Sequence, residues 1–121
     1  MGRAEMAKRL KVYIAGPYTK GDVAVNVANA IVVADELMTA GYTPYCPHLS
    51  HFQHLLEPRP YEDWIALDIE WVRVCDFVLR LPGESAGADG EVIEALKLGI
   101  PVVGSIAELR MHPQGGTESQ R

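Results

Sequence analysis

The sequence has little of several features that mark whole classes of protein. Its two cysteines, Cys46 and Cys75, form no CxxC pattern, so we expect reduced thiols rather than a disulfide. A net charge of −5 leaves no basic excess for binding DNA or RNA. No apolar run reaches the length of a membrane span, and residues 1–11 lack the apolar core of a signal peptide. We therefore expect a cytoplasmic protein whose partner is a small molecule, with no nucleic-acid polymer and no membrane.

What remains is an ordinary globular composition in a chain of 121 residues, with 48% apolar and 22% charged residues. This length fits one domain that buries its own core. The composition of the ends differs from that of the middle. We expect a loose leader over residues 1–10, a single domain over residues 11–111, and a flexible polar tail over residues 112–121.

Hydrophobic patterning predicts strands that alternate with helices. The predicted strands cover residues 11–15, 42–46, 76–81 and 101–104. The predicted helices cover residues 22–40, 51–56, 61–74, 91–98 and 105–111. Such alternation is typical of a parallel sheet covered on both faces. The sequence therefore predicts an α/β fold, a flavodoxin-like or Rossmann-like doubly wound parallel sheet of four to five strands.

In a doubly wound fold, ligands bind beyond the carboxyl ends of the strands, near the point where the strand order reverses. The loop Gly16–Gly21 follows the first predicted strand and contains Thr19 and Lys20, which suit phosphate binding. It matches neither the P-loop nor the GxGxxG pattern. A plain strand-to-helix turn fits this loop equally well.

The loop after the third predicted strand is rich in small residues and ends in carboxylates. Small residues from Ser85 to Gly90 allow a ligand to approach the backbone, and the start of a helix favours an anion. Glu91 then stands at the strand-end crevice as a candidate catalytic carboxylate. The alternative is an ordinary helix start, with Asp89 as the N-cap and Glu91 in the first turn.

Two further groups of polar residues lie between the second and third predicted strands. Asp68 stands among apolar residues, where burial would raise its pKa and suit it to donate a proton. The alternative places it on the solvent face of its helix. His48, His51 and His54 are spaced by three, but no acid or cysteine stands at ligand spacing beside them. We predict no metal and no other cofactor, and favour substrate contact or a surface loop for the histidines.

Three blocks of the sequence, taken in order, resemble the nucleoside 2-deoxyribosyltransferase superfamily. They are Val12 to Pro17, Asp68 to Trp71 followed by Cys75-Asp76, and Ser85 to Pro101. The resemblance extends over about residues 11–103. It is closest to the short members and to the branch that hydrolyses nucleoside 5′-monophosphates.

This resemblance implies a mechanism. The family's nucleophilic glutamate falls on Glu91, its acid on Asp68, and a tyrosine that orients the nucleophile on Tyr13. The carboxylate would displace the base from the sugar, and the glycosyl ester would pass to water or to another base. We expect hydrolysis of a (deoxy)nucleoside 5′-monophosphate to free base and sugar phosphate. The alternatives are a deoxyribosyltransferase that exchanges bases and a non-catalytic nucleotide-binding module.

The resemblance also implies how the substrate is held. Ser85 falls where the nucleotide hydrolases place a serine on the 5′-phosphate, whereas transferases of free nucleosides tend to have an aspartate there. The other residues expected to bind substrate are Gly16, Pro17, Tyr18, Thr19, Lys20, Gly87, Asp89 and Gly90, with His48, His51 and Trp64 near the base. Because related enzymes complete the site from a neighbouring subunit, we expect a homodimer or a higher homo-oligomer.

Overall fold

Four short parallel strands form the centre of the protein, seen here in a computed structural model that describes residues 9–116. They are β1 (Lys11–Ala15), β2 (Thr43–Tyr45), β3 (Phe77–Arg80) and β4 (Val102–Val103). Their order across the sheet is β2-β1-β3-β4, and each neighbouring pair is parallel. This is the order of a flavodoxin-like doubly wound sheet, so the predicted fold class is confirmed.

Helices connect these strands. They are α1 (Val23–Thr39), α2 (Ser50–Leu56), α3 (Tyr61–Val74), α4 (Ala86–Lys97) and α5 (Ile106–Met111), with a 3-10 turn at Pro47–Leu49 before α2. Local chemistry fixes the ends of α1. The Asp22 carboxylate caps it by accepting from the Val25 N–H at 3.1 Å. Gly41 follows it with φ +98°, a conformation that favours glycine.

The side chains of β1 alternate between two separate cores. Val12 and Ile14 pack on the face covered by α1 and α5, and Tyr13 and Ala15 pack on the face covered by α3 and α4. The first core also contains Ala30, Leu37, Phe77, Leu79 and Leu109, and the second contains Val72, Val78, Ala88 and Ala95. Since both faces of β1 are buried, its sequence is a continuous apolar run rather than an alternating one. The same alternation turns Tyr13 towards the helices that carry the candidate catalytic acids.

Helix α4 begins at Ala86, not at Glu91 as the sequence pattern predicts. Ser85 has an extended backbone, and its hydroxyl oxygen accepts the Ala88 N–H at 3.1 Å, which makes it the N-cap. The predicted N-cap at Asp89 is therefore wrong. Glu91 lies in the second turn of the helix, where its side chain is buried against the sheet.

Beyond α5, the chain contacts the core at His112, whose ring lies against Phe77, and at Gly115. The Tyr42 hydroxyl donates a hydrogen bond to the carbonyl of Gly115, which is buried. A Cβ at Gly115 would lie 1.8 Å from the Leu109 carbonyl oxygen, so only glycine fits there. Within the predicted flexible tail, Gly115 is thus buried and bound by Tyr42, while residues 113 and 114 are exposed.

The predicted leader and tail fall largely outside the described residues. Residues 1–8 of the leader and residues 117–121 of the tail are not described. The predicted domain limits at residues 11 and 111 stay predictions. Within residues 9–116, no helix combines the length and the apolar character that a membrane span needs.

Candidate active site

The loops that follow β1 and β3 lie side by side, because these two strands are neighbours in the sheet. The Leu81 N–H donates to the Ala15 carbonyl at 2.8 Å and continues the ladder beyond the strands. A Cβ at Gly16 would lie 3.0 Å from Leu81. Gly83 has φ +115°, and a Cβ there would lie 2.8 Å from the Pro17 ring. Glycines therefore let the two loops pack closely where the strand order reverses.

A cavity of about 600 Å³ opens beside these loops. Its walls come from the loop after β1, the segment around α2, the first half of α3 and the start of α4. The volume lies in the range of sites that enclose small molecules. Most of the predicted site residues line it: Gly16, Tyr18, Thr19, Lys20, His48, His51, Trp64, Asp68, Ser85, Gly87, Asp89 and Glu91.

Three predicted site residues lie elsewhere. Tyr13 is fully buried in the sheet and reaches the cavity only through its bond to Glu91. Pro17 faces the opposite side of its loop, where it lines a second cavity of about 320 Å³. Gly90 is exposed on α4, and nothing lies within 4 Å of a Cβ placed there. Neither Pro17 nor Gly90 lines the larger cavity, because each points away from it.

The candidate nucleophile is a buried carboxyl group held by a tyrosine. Glu91 is 7% exposed, and the Tyr13 hydroxyl donates to its Oε2 at 2.6 Å. The pKa of Glu91 is raised to about 7, chiefly by burial and also by the charge of Asp68, against the lowering effects of the Tyr13 hydrogen bond and of Arg80. Burial and the charge of Glu91 raise the pKa of Tyr13 well above its usual range. The phenol therefore stays protonated and acts as a donor.

A second carboxyl group lies close enough to Glu91 for their charges to interact. Asp68 stands on α3, lines the same cavity, and has a pKa raised to about 6 by burial. Its Oδ1 is buried and has no hydrogen-bond partner among residues 9–116. Because the charge of Asp68 opposes ionisation of Glu91, the two carboxyls titrate as a coupled pair, with a pH range in which the pair holds one proton. Such a pair supplies a carboxylate and a carboxylic acid at once.

Two histidines attach the segment around α2 to the loop after β1. The His48 Nε2 lies 2.9 Å from the Pro17 carbonyl oxygen, and because a carbonyl only accepts, the imidazole donates. Burial lowers the pKa of His48, which favours the neutral ring. Tyr18 and His51 are joined by a bond of 2.6 Å between the phenol oxygen and Nδ1. These bonds make His48 and His51 part of the cavity wall.

A third histidine attaches α2 to the opposite wall. The Trp64 indole N–H donates to His54 Nδ1 at 3.0 Å, and the Arg59 backbone N–H donates to the same atom at 3.2 Å. No residue of α2 is buried, so these hydrogen bonds rather than a hydrophobic face hold the helix over the cavity. In residues 9–116, no three or more His, Cys, Asp or Glu side chains are grouped to hold a metal ion.

The charged side chains of the cavity wall are mostly acidic. The acids are Asp68, Glu84, Asp89 and Glu91, and the bases are Lys20 and Arg59. Lys20 Nζ lies 3.2 Å from a Glu84 carboxylate oxygen, and Arg59 Nη1 lies 3.1 Å from an Asp63 oxygen. Each of the two cations is thus already paired with a carboxylate.

The start of α4 offers neutral donors to an oxygen atom of a ligand. Ser85, Ala86 and Gly87 line the cavity, and the first N–H groups of a helix have no partner within it. Because the Ser85 oxygen accepts from Ala88, its own hydroxyl proton is left to donate outwards. A hydroxyl or phosphate oxygen fits this corner of the cavity.

The sequence pattern did not identify several residues of the wall. Arg59, Tyr61 and Glu84 line the cavity. His54, for which the sequence left substrate contact or a surface loop open, lines it as well. Tyr61 begins α3, and its hydroxyl would lie 3.3 Å from a Cβ at Gly87, so it closes the gap between α3 and α4. Pro60 and the regular helix pattern marked only where α3 starts, and nothing in the sequence indicated which side chains of its first turn face inwards.

Comparisons with known proteins identify a similar solved structure and a matching family model. Among solved structures, a 2-deoxyribosyltransferase from the psychrotolerant bacterium Bacillus psychrosaccharolyticus is similar, with 22% sequence identity and a TM-score of 0.47. The similarity covers 76% of this chain and 69% of that chain. No curated protein matches the sequence. The family model for a domain of unknown function, DUF7768, matches residues 10–104, from the start of the sheet to the end of β4, and the chain therefore belongs to that family.

Proposed function

We propose that this protein cleaves the N-glycosidic bond of a nucleoside or of a nucleoside 5′-monophosphate, with Glu91 as the nucleophile. One observation carries the proposal. A buried carboxyl group, oriented by Tyr13 at 2.6 Å, faces a cavity of about 600 Å³ together with a second carboxyl group, Asp68. Retaining glycosidases use such a pair, one group as nucleophile and one as acid.

In the first step, the Glu91 carboxylate attacks the anomeric carbon and the bond from that carbon to the base nitrogen breaks. The electron pair of the broken bond goes to the base, which takes a proton from Asp68. Burial raises the pKa of Asp68 to about 6, and the reactive form of the coupled pair carries its one proton on Asp68 and its charge on Glu91. Tyr13 fixes one oxygen of Glu91 and leaves the other to form the ester.

In the second step, an acceptor attacks the anomeric carbon and the glycosyl ester of Glu91 breaks. Water as acceptor gives the free sugar, and its proton goes to the Asp68 carboxylate. A second base as acceptor gives a new nucleoside, and the proton on its nitrogen goes to the same carboxylate. Hydrolysis and transfer therefore share the first step, and the acceptor decides between them.

A 5′-monophosphate is supported by the start of α4. Ser85 and the free N–H groups of Ala86 and Gly87 present donors to the cavity, and Thr19 lies in the facing loop. A helix N-terminus binds an anion without any basic side chain. This corner suits the expected role of Ser85 on a phosphate.

A free nucleoside, exchanged between bases, is the second candidate, and the charge of the cavity favours it. Lys20 and Arg59 are paired with Glu84 and Asp63, so a phosphate dianion meets no unpaired side-chain cation in the described wall. An uncharged 5′-hydroxyl uses the same neutral donors without competing with those pairs. Transfer of this kind is the activity named for the similar Bacillus chain.

The test is a chromatographic assay of base release and base exchange. Ribo- and deoxyribonucleosides and their 5′-monophosphates are each incubated with the protein, with and without a second base. The Glu91→Gln variant is the test of the nucleophile, and Glu70→Gln, an exposed carboxylate on α3, is the matched control. We expect turnover in the wild type and the control, and its loss in Glu91→Gln.

Each outcome assigns a reaction. Base release from monophosphates alone gives the hydrolase, and release or exchange with free nucleosides gives the transferase. Binding of the ligands without any release or exchange would overturn the proposal in favour of a non-catalytic nucleotide-binding module.

A further inference from the structure

One arginine connects three elements of the site without lining the cavity. Arg80 ends β3, and its side chain is 20% exposed. Its Nη1 donates to the Leu81 carbonyl, and its Nη2 donates to the Gly83 carbonyl at 3.0 Å and to Asp89 Oδ1 at 2.9 Å. The guanidinium therefore binds the end of a strand, the following loop and the first turns of α4 together.

Arg80 supplies side-chain hydrogen bonds to a loop that is largely exposed. Residues 82–84 are exposed, and apart from the close approach of Gly83 to the Pro17 ring, little hydrophobic packing fixes the loop. It nevertheless leads into Ser85, which caps α4 and forms part of the cavity wall. A planar guanidinium satisfies several acceptors at once, which a lysine ammonium cannot do in the same geometry.

Arg80 also supplies positive charge to the candidate nucleophile. Among residues 9–116, three charged or titratable groups interact with the Glu91 carboxyl: Tyr13 from β1, Asp68 from α3 and Arg80 from β3. Asp68 opposes ionisation of Glu91, and Arg80 lowers the pKa of Glu91 against the effect of burial. Asp89, on the same helix as Glu91, is paired with Arg80 and offsets part of its charge.

From these contacts we infer that Arg80 is a positioning residue for the glycosyl transfer, and this inference rests on the function proposed above. It holds the loop between β3 and α4 in the shape that places Ser85 at the cavity. It also supplies the positive charge that favours the carboxylate form of Glu91.

Three variants separate the charge of Arg80 from its hydrogen bonds. Arg80→Met removes both. Arg80→Lys keeps the charge but loses the planar guanidinium that donates to several acceptors. Asp89→Asn breaks the ion pair with Arg80 and leaves the cation in place. The readout is kcat/KM against pH, whose acid limb reports the ionisation of the coupled Glu91–Asp68 pair that produces the Glu91 carboxylate. Circular dichroism and thermal unfolding confirm that each variant folds.

We expect the acid limb to move in opposite directions in Arg80→Met and in Asp89→Asn. In Arg80→Met it moves up by about half a pH unit or more, because an opposite charge that favoured the carboxylate is gone. In Asp89→Asn it moves down, because the charge of Arg80 is no longer offset. In Arg80→Lys the limb stays near its wild-type position while kcat falls about tenfold, as a loop displaced by a fraction of an ångström predicts.

A shift in the same direction for Arg80→Met and Asp89→Asn would overturn the inference, since breaking the pair would then act only through the fold. An unmoved limb in Arg80→Met would do the same. A second readout, titration of the ¹³C-labelled Glu91 carboxyl by NMR without substrate, keeps this test separate from the proposed function. If the wild type turns over no substrate, the proposed function fails, and the NMR titration still decides whether Arg80 acts on Glu91.

Discussion

Burial of the Glu91 carboxyl predicts that the candidate nucleophile destabilises the folded protein at high pH. Its pKa rises from an ordinary value of 4.5 to about 7, chiefly because it is buried. At about 1.4 kcal/mol for each pH unit, this rise means that ionising Glu91 costs about 3 kcal/mol more in the folded protein than in the unfolded chain. The pKa of Glu91 is higher in the folded protein than in the unfolded chain. Its contribution to the free energy of unfolding is therefore fully present below pH 4.5 and is lost as pH rises through 7.

The Glu91→Gln variant measures this cost. Glutamine keeps an oxygen that accepts from Tyr13 and never ionises. The variant therefore does not lose free energy of unfolding through this group as pH rises. Its free energy of unfolding should exceed that of the wild type by about 1 kcal/mol at pH 5 and by about 3 kcal/mol at pH 8. Urea unfolding at the two pH values gives both numbers. A difference that does not grow with pH, or a variant less stable than the wild type at pH 8, would refute the reasoning.

The remaining predictions concern Tyr13, Asp68 and Gly115. Tyr13→Phe should move the acid limb of kcat/KM to higher pH and lower the maximum of kcat/KM at least about tenfold. The reason is that the hydrogen bond that favours ionised Glu91 is gone. Asp68→Asn should remove the basic limb and slow base release by about 10²–10⁴-fold, measured by the same assay. Gly115→Ala should destabilise the fold by about 3 kcal/mol in urea unfolding, because its Cβ would meet a backbone carbonyl at 1.8 Å. Gly90→Ala, with open space around it, is the control and should be neutral or slightly stabilising.

Most of the fold could be predicted from local sequence chemistry. The bounds of β1 and α3 match the predicted ranges, because a continuous apolar run and a regular helical period mark them. The start of α4 was missed because two competing N-caps, Ser85 and Asp89, stand four residues apart in a run of small residues. Tertiary packing of the early turn against the sheet decides for Ser85, and the local pattern does not contain that information.

The sequence indicated the candidate catalytic side chains better than the hydrogen bonds that hold the site together. The resemblance singled out Glu91, Asp68 and Tyr13, and the structure brings these three together, while their catalytic roles stay proposals. The role of Arg80 in the loop was missed, because an arginine at the end of a strand carries no sequence signal for which carbonyls it binds. For His54 the sequence left substrate contact and a surface loop open, and its place in the cavity wall depends on the packing of α2 against α3.

The most direct test of the central claim is mass spectrometry of the intact protein, acid-quenched during turnover of a nucleoside or monophosphate that the base-release assay has shown to react. A covalent intermediate predicts a mass increase of one sugar or sugar-phosphate residue, mapped to the peptide that carries Glu91 and absent in Glu91→Gln. Base release that persists in Glu91→Gln, with no adduct on the wild-type peptide, would contradict the account and assign the chemistry to a different group.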